Sequence, residues 1–126
     1  MTQQNKHKLP PKAWIMVAGP YSSGTSNVIQ KQNNLDILNQ AALSLFNLGY
    51  IPIVGVNCAL PLIHASDAPD SFNHIMMPLS LALSERCDAC FRVGGTSKGA
   101  DREVERFRAA GKPVFLSLDE ISTWSG

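Results

Sequence analysis

The most chemically informative side chain in this 126-residue sequence is the carboxylate of Glu103. It follows a glycine-rich segment, residues 94–100 (GGTSKGA), and lies about one turn into a predicted helix. At about 100° per residue, it falls within or at the edge of the apolar stripe of that helix. A carboxylate on a packed face is costly unless it is paired or opens into a cleft. Two interpretations stay open, a catalytic carboxylate and an ion pair with a nearby arginine.

A second group of polar residues occupies residues 19–26 (GPYSSGTS), between a predicted strand and a predicted helix. Glycines there allow close backbone approach to a ligand, and N–H groups at a helix start attract anions. Thr25 stands where a phosphate-binding P-loop carries its lysine, which excludes a nucleoside triphosphatase and leaves a monophosphate, a ribose or a carboxylate. A serine-rich helix cap is the alternative interpretation. The candidate ligand-binding residues are Gly19, Tyr21, Ser22, Ser23 and Gly24.

The glycine-rich segment before Glu103 contributes Ser97 and Gly99 as further candidate binding residues. Both glycine-rich segments follow predicted strands, and ligands of parallel α/β sheets bind at the carboxyl ends of the strands. We therefore expect the two segments to lie together and to bind one anion between them.

Asp88, in Cys87-Asp88-Ala89-Cys90, is a second candidate carboxylate, with a turn or cap residue as the alternative. The cysteine pair precedes a strand, whereas a redox pair requires its first cysteine at a helix start. A structural zinc site would need two further matched ligands, and neither a metal nor a cofactor is predicted. His64 and His74 flank a segment of unclear structure and are either surface residues or part of a site.

The elements that must position these residues alternate along the chain. Residues 55–72 have no clear period and are predicted to be a long loop, and Pro78 is expected only near the first turn of the helix that follows. Pro52 indicates an edge strand, and Asp119 is a candidate cap of a short C-terminal turn. The pattern predicts a three-layer flavodoxin- or Rossmann-like α/β fold around a short parallel sheet of four to five strands. The predicted strands are 13–18, 50–54, 89–93 and 114–118, and the predicted helices include 27–48 and 98–110.

Length and composition predict a flexible tail over residues 1–11 and a single α/β domain over residues 12–126. A formal net charge of +1 argues against a polymeric nucleic acid as the partner. The polar, basic residues 1–12 are not expected to act as a secretory signal, and the absence of an apolar run of about 18 residues predicts no transmembrane helix. Its three cysteines suit a reducing cytoplasm better than a disulfide framework.

Taken together, four motifs make the sequence resemble the nucleoside 2-deoxyribosyltransferase-like family, in its small, largely uncharacterised branch. The resemblance extends from about Trp14 to Phe115, and its most specific part is Ser97-x-Gly99-x-x-x-Glu103 followed by residues 111–114 (GKPV). The other motifs are A-G-P-Y, L-G-Y-x-P and C-D-A-C-F-R-V.

The resemblance implies cleavage of the N-glycosidic bond of a nucleoside or a nucleoside 5′-monophosphate, by hydrolysis or by 2-deoxyribosyl transfer. It implies that Glu103 is the nucleophile, that Asp88 assists, and that residues 19–24 and Ser97 contact the sugar or the 5′-phosphate. Thr96 stands where the characterised transferases carry an acidic residue, which favours hydrolysis. A non-catalytic nucleotide- or nucleoside-binding module on the same fold is the alternative.

We also expect a homodimer or a higher homo-oligomer. The first long helix is rich in apolar residues and has few charges. The resemblance adds that a small pocket of this family is completed across an interface.

Overall fold

A computed structural model describes Leu9 and residues 12–68 and 70–124. The predicted tail over residues 1–11 lies almost entirely outside these described residues. Leu9 itself is partly buried and packs against the core. The elements in chain order are β1 (Trp14–Ala18), α1 (Val28–Asn47), β2 (Ile51–Ile53), α2 (Gly55–Ala65), α3 (Ser71–Arg86), β3 (Ala89–Arg92), α4 (Lys98–Ala109), β4 (Val114–Phe115) and α5 (Leu118–Ser122).

The four strands form one parallel sheet in the order β2-β1-β3-β4, which confirms the predicted α/β fold. Successive side chains of β1 enter opposite layers, as the pleat of a strand requires. Ile15 and Val17 pack in the layer that contains α1 and α5, whereas Met16 and Ala18 pack against α3 and α4. The sheet is therefore covered on both faces, which explains why its strands are almost uniformly apolar.

β2 is an edge strand, as Pro52 predicted. The Ile51 N–H donates to the Ala13 carbonyl oxygen at 2.9 Å, so the next residue turns its nitrogen away from β1. Pro52 thus occupies the one kind of strand position at which a missing N–H costs no sheet hydrogen bond.

α1 begins after Asn27, whose side-chain oxygen accepts from the Gln30 N–H at 3.0 Å. Leu38 and Leu45 on its inner face are fully buried, but its outer face exposes Val28, Phe46 and other large apolar side chains. No helix within residues 12–68 and 70–124 combines the length and apolarity that crossing a bilayer requires.

Three local expectations from the sequence are wrong. Most of the predicted loop over residues 55–72 is helical. α2 covers Gly55–Ala65 and continues through Pro61. Pro78 lies in the middle of α3 rather than in its first turn. Asp119 lies inside α5, and the cap is Ser117, whose hydroxyl accepts from the Glu120 N–H at 3.2 Å.

Candidate active site

A cavity of about 220 Å³ lies at the carboxyl ends of the strands, among the segments that follow β1, β2 and β3, beside the reversal of strand order between β1 and β3. The starts of α2 and α4 border it, and α3 covers it with Phe72, Met76, Met77 and Ser80. Its volume is below the roughly 300–1,000 Å³ of typical ligand pockets, so it suits a small ligand or one part of a larger ligand. Both glycine-rich segments reach it, through Gly19, Tyr21, Ser22, Ser23, Ser97 and Gly99.

Glu103 extends from the second turn of α4 into this cavity and is 8% exposed. No salt bridge involves it within the described part of the chain. The ion-pair interpretation is therefore not supported, since Arg106 pairs instead with Glu85 at 3.2 Å. A nearly buried carboxylate without a cationic partner is energetically costly and is a recurrent feature of catalytic sites.

Burial raises the pKa of Glu103 from its ordinary 4.5 to about 7. The neighbouring Ser80 hydroxyl, as a polar group beside the carboxylate, and the more distant Arg92 guanidinium act in the opposite direction and lower this pKa. Desolvation outweighs both. The carboxyl group is thus close to half ionised at neutral pH, in the range that suits a group that attacks or exchanges protons.

The two glycine-rich segments meet directly, as the sequence predicted. The hydroxyl oxygens of Ser23 and Ser97 are 2.8 Å apart, and the Ser97 hydroxyl also accepts from the Ala100 N–H at 3.1 Å. Ser97 therefore caps α4 and links it to the segment after β1. Anion binding between the segments stays a prediction.

Buried polar contacts of Asn34 hold the segment after β1 in place. The Asn34 side chain, which is nearly buried, donates to the Tyr21 carbonyl oxygen at 2.7 Å and accepts from the Gln30 amide at 2.9 Å. The Tyr21 ring stacks on Phe72 with ring centroids 6.4 Å apart and an interplanar angle of 20°. The two rings give the cavity an aromatic wall that continues onto α3.

Arg92 fixes the other segment and does not line the cavity. Its guanidinium donates to the carbonyl oxygens of Val93 and Gly95, the latter at 2.7 Å. It also lies 3.6 Å from the Asp101 carboxylate. Arg92 is therefore a structural cation that shapes residues 93–95.

Gly19 shows why the segment after β1 needs glycine at its first position. A Cβ atom at Gly19 would lie 2.6 Å from the Val93 carbonyl oxygen and 2.8 Å from a methyl group of Leu38. The backbones of the two segments can approach only because this atom is missing.

We expect Gly19→Ala to lower the free energy of unfolding by about 1–3 kcal/mol, because backbone atoms must move apart to accommodate the methyl group. Gly95→Ala is the matched control, since a Cβ atom there meets nothing within 4 Å. Urea denaturation of both variants measures the difference. Equal stabilities would show that the approach of the two segments is not constrained at Gly19.

The structure does not bring Asp88 to this site, and the expectation that it lies near Glu103 is wrong. Asp88 precedes β3 and therefore lies at the amino end of the sheet. Its carboxylate accepts from the Trp14 N–H at 2.8 Å, and its own N–H donates to the Trp14 carbonyl oxygen at 2.7 Å. These reciprocal bonds make it a residue that sets the register of β1 and β3.

Several other candidates also lie away from the cavity. Gly24 does not line it, and His64 and His74 are exposed and do not line it. Burial raises the pKa of the Cys90 thiol to about 12, which makes it a poor nucleophile or metal ligand. Among the described residues, no three His, Cys, Asp or Glu side chains gather as a metal site would require.

Sequence reasoning missed the side of the cavity that α2 and α3 contribute. Ser80 is 3% exposed and lies beside Glu103. A Cβ atom at Gly55, the first residue of α2, would collide with the Ser80 hydroxyl, so this glycine lets α2 pack tightly behind that serine. A buried serine in the middle of a helix is a weak signal on its own.

Comparisons with protein-family models, curated proteins and solved structures found no match for the chain.

Proposed function

We propose that this protein cleaves the N-glycosidic bond of a small nucleoside or nucleoside 5′-monophosphate, with Glu103 as the nucleophile. The observation that carries the proposal is the nearly buried Glu103 carboxylate, which faces a cavity at the carboxyl ends of parallel strands without a cationic partner in the described residues. The motif around Ser97, Gly99 and Glu103, with its resemblance to the deoxyribosyltransferase-like proteins, supports the same reaction.

The position of Glu103 suits attack on an anomeric carbon. A retaining displacement needs a carboxylate that is held on a rigid element and is only partly solvated, so that its charge is available to the substrate. The second turn of α4 supplies the rigidity, and Gly99 and Ala100 line the cavity beside it. The bond from the anomeric carbon to the base breaks as the bond to a Glu103 oxygen forms, and water or a second base then releases the sugar.

The hydroxyl and N–H groups around the cavity suit the polar part of such a substrate. Ser22 and Ser23 line one side, and the start of α4 lines the other. Backbone N–H groups at a helix start favour a phosphate or sugar hydroxyls. We place the activity in a reducing cytoplasm, because all three cysteines are free thiols.

The direct test is product analysis. The purified full-length chain is incubated with a panel of nucleosides and nucleoside 5′-monophosphates, and free base is measured by liquid chromatography. Release of base above the rate in buffer supports the proposal. Binding of the same compounds without release identifies a non-catalytic module.

That binding module is the second candidate, and one observation favours it. Glu103 is the only carboxylate that lines the cavity among the described residues, so the paired carboxylates of most glycoside hydrolases are not present. A module that only binds needs no second carboxylate. Calorimetry on compounds that are not cleaved distinguishes the two candidates.

We further propose that two or more copies associate through the outer face of α1. Val28 is 77% exposed and Phe46 is 61% exposed, and both lie on one side of a helix that carries only Lys31 and Asp36 as charged residues. Exposed apolar side chains of this size, with so few charges between them, are typical of interfaces.

We expect Phe46→Glu to shift the protein toward monomer, because a charge placed within an apolar interface loses its contact with solvent. Sedimentation at micromolar concentration measures the change. Leu116→Glu is the matched control, since Leu116 is equally exposed at 62% but lies outside α1. A wild-type chain that sediments only as a monomer would contradict the proposal.

A further inference from the structure

We propose that the substrates this cavity cleaves best are N-glycosides whose base carries a positive charge, such as a pyridinium or an N-alkylated purine, and leaves as a neutral molecule. The inference rests on the proposed function and specifies its substrate class. It follows from which proton donors and which charges the cavity contains.

Within one copy, Glu103 is the only acidic side chain that the described residues place around the cavity. All ten acidic residues of the chain lie in the described segments, and Glu103 alone among them lines the cavity. Asp88 is at the opposite end of the sheet, and Asp101 is exposed and pairs with Arg92. His64 and His74 do not line the cavity either.

Within one copy, the described residues therefore offer a neutral base no second carboxylic acid and no histidine as a proton donor. When the bond from the anomeric carbon to a neutral base breaks, the base takes the electron pair and must be protonated to leave readily. A general acid must lie within hydrogen-bond reach of that nitrogen and typically contributes a factor of about 10²–10⁴ in rate. Glu103 cannot attack the sugar as a carboxylate and donate a proton in the same step.

A cationic base removes the requirement. A Glu103 oxygen forms a bond to the anomeric carbon, the bond to the ring nitrogen breaks, and its electron pair neutralises that nitrogen. Water then attacks the glycosyl ester, which returns the Glu103 carboxylate, gives the sugar hydroxyl and releases one proton to solvent. The net reaction consumes one water and yields a neutral base, a free sugar and a proton.

The charges of the cavity favour the same class of ligand. The Glu103 carboxylate is 8% exposed, and no lysine, arginine or histidine of the described residues lines the cavity. The guanidinium of Arg92 does not line the cavity and contacts the carbonyl oxygens of Val93 and Gly95 and the Asp101 carboxylate, although its charge acts on Glu103 from a distance. A cationic ring would place a positive charge inside the cavity itself.

The aromatic wall adds a surface that such a ring prefers. Tyr21 and Phe72 both line the cavity and stack with ring centroids 6.4 Å apart. Cations are attracted to the faces of aromatic rings, and the attraction is stronger away from water. A charged base between this wall and Glu103 would therefore be stabilised from both sides.

The turnover test compares nicotinamide riboside, whose base is permanently cationic, with inosine, uridine and thymidine, whose bases are neutral. Each is tested with its 5′-monophosphate on the full-length chain at pH 8. We expect kcat/KM for the cationic compounds to exceed that for the neutral ones by at least about 100-fold, the contribution of the missing acid. Cleavage of a neutral nucleoside at a comparable rate would overturn the inference and leave the proposed function intact.

Tyr21→Phe tests the remaining candidate for a general acid. Among the described residues, Tyr21 is the only lining side chain besides Glu103 that has a titratable proton. The variant keeps the ring and removes the hydroxyl. Because Tyr21 also lines the cavity, the readout is the ratio of kcat/KM for nicotinamide riboside to kcat/KM for inosine. We expect this ratio to stay within about threefold of the wild-type ratio, since a lost binding contact lowers both values whereas a lost general acid lowers only the value for inosine. A loss of about 100-fold confined to inosine would identify Tyr21 as an acid and overturn the inference.

A binding test decides the inference even if nothing is cleaved, an outcome that would refute the proposed function. Nicotinamide riboside and its neutral dihydro form are titrated calorimetrically into wild type, Glu103→Gln and the control Glu105→Gln. We expect Glu103→Gln alone to weaken binding of the cation by at least about tenfold and to leave the neutral form unchanged. Equal effects on both forms, or none on either, would overturn the inference.

Discussion

Glu103→Gln should abolish the release of free base, lowering kcat by several orders of magnitude while the protein remains folded. The amide has nearly the shape of the carboxylate but cannot form the glycosyl ester. Glu103→Ala should be equally inactive. Chromatography of the base and circular dichroism of the same samples measure the two properties together.

Glu105→Gln is the matched control for this experiment. Glu105 lies on the same helix, is exposed, and is 3.6 Å from Arg108. Its replacement makes the same chemical change on the solvent side of α4 and should leave turnover unchanged. Full activity of Glu103→Gln, with a lowered melting temperature, would assign Glu103 a structural role and refute the enzymatic proposal.

The free energy of unfolding should fall as the pH rises from about 4.5 to above 7, the interval between the ordinary and the folded-state pKa of Glu103. The folded protein holds the Glu103 proton over this interval while the unfolded chain has released it, so the stabilisation present at low pH is lost. The total change is on the order of 3 kcal/mol at about 1.4 kcal/mol per pKa unit.

Turnover should change in the opposite direction, rising through a pH of about 7 as Glu103 ionises. The groups that face this carboxylate are Ser80 on α3, Arg92 and Cys90 on β3, and Tyr21 across the cavity. Urea denaturation at pH 5 and pH 8 and initial rates over the same range measure the two trends.

Glu103→Gln isolates the origin of the stability trend, because the amide does not titrate. The pH dependence of unfolding in this variant should lose most of the slope between pH 5 and pH 8. At pH 8 the variant should be more stable than wild type, since it buries no charge. A slope that survives the substitution would show that other groups cause it.

The sheet and the placement of Glu103 could be predicted because each depends on a local pattern. Short apolar runs that end in glycine predict buried parallel strands, and all four predicted strands exist, although β4 ends at Phe115 rather than at 118. The apolar stripe of α4 placed Glu103 on its inner side, where the structure has it. The contact of Ser23 with Ser97 followed from the rule that strand ends meet at one edge.

The opposite side of the cavity depends on interactions that no local pattern reveals. Pro61 and Pro78 are usually read as helix boundaries, yet packing between α2 and α3 retains both inside helices. Ser80 faces Glu103 only because α3 crosses that end of the sheet. The position of Asp88 away from the cavity could be predicted, since a residue that precedes a parallel strand lies at the end of the sheet opposite the ligand.

The outward-facing nitrogen of Pro52 also affects how copies of this chain can assemble. A strand that approached the outer side of β2 would meet no donor at Pro52, and β2 offers only three residues in all. Addition of strands from one molecule to the next, the route by which exposed sheet edges lead to fibrils, is thus disfavoured at this edge. On this side of the sheet, contacts between copies would have to come from side chains rather than from extension of the sheet.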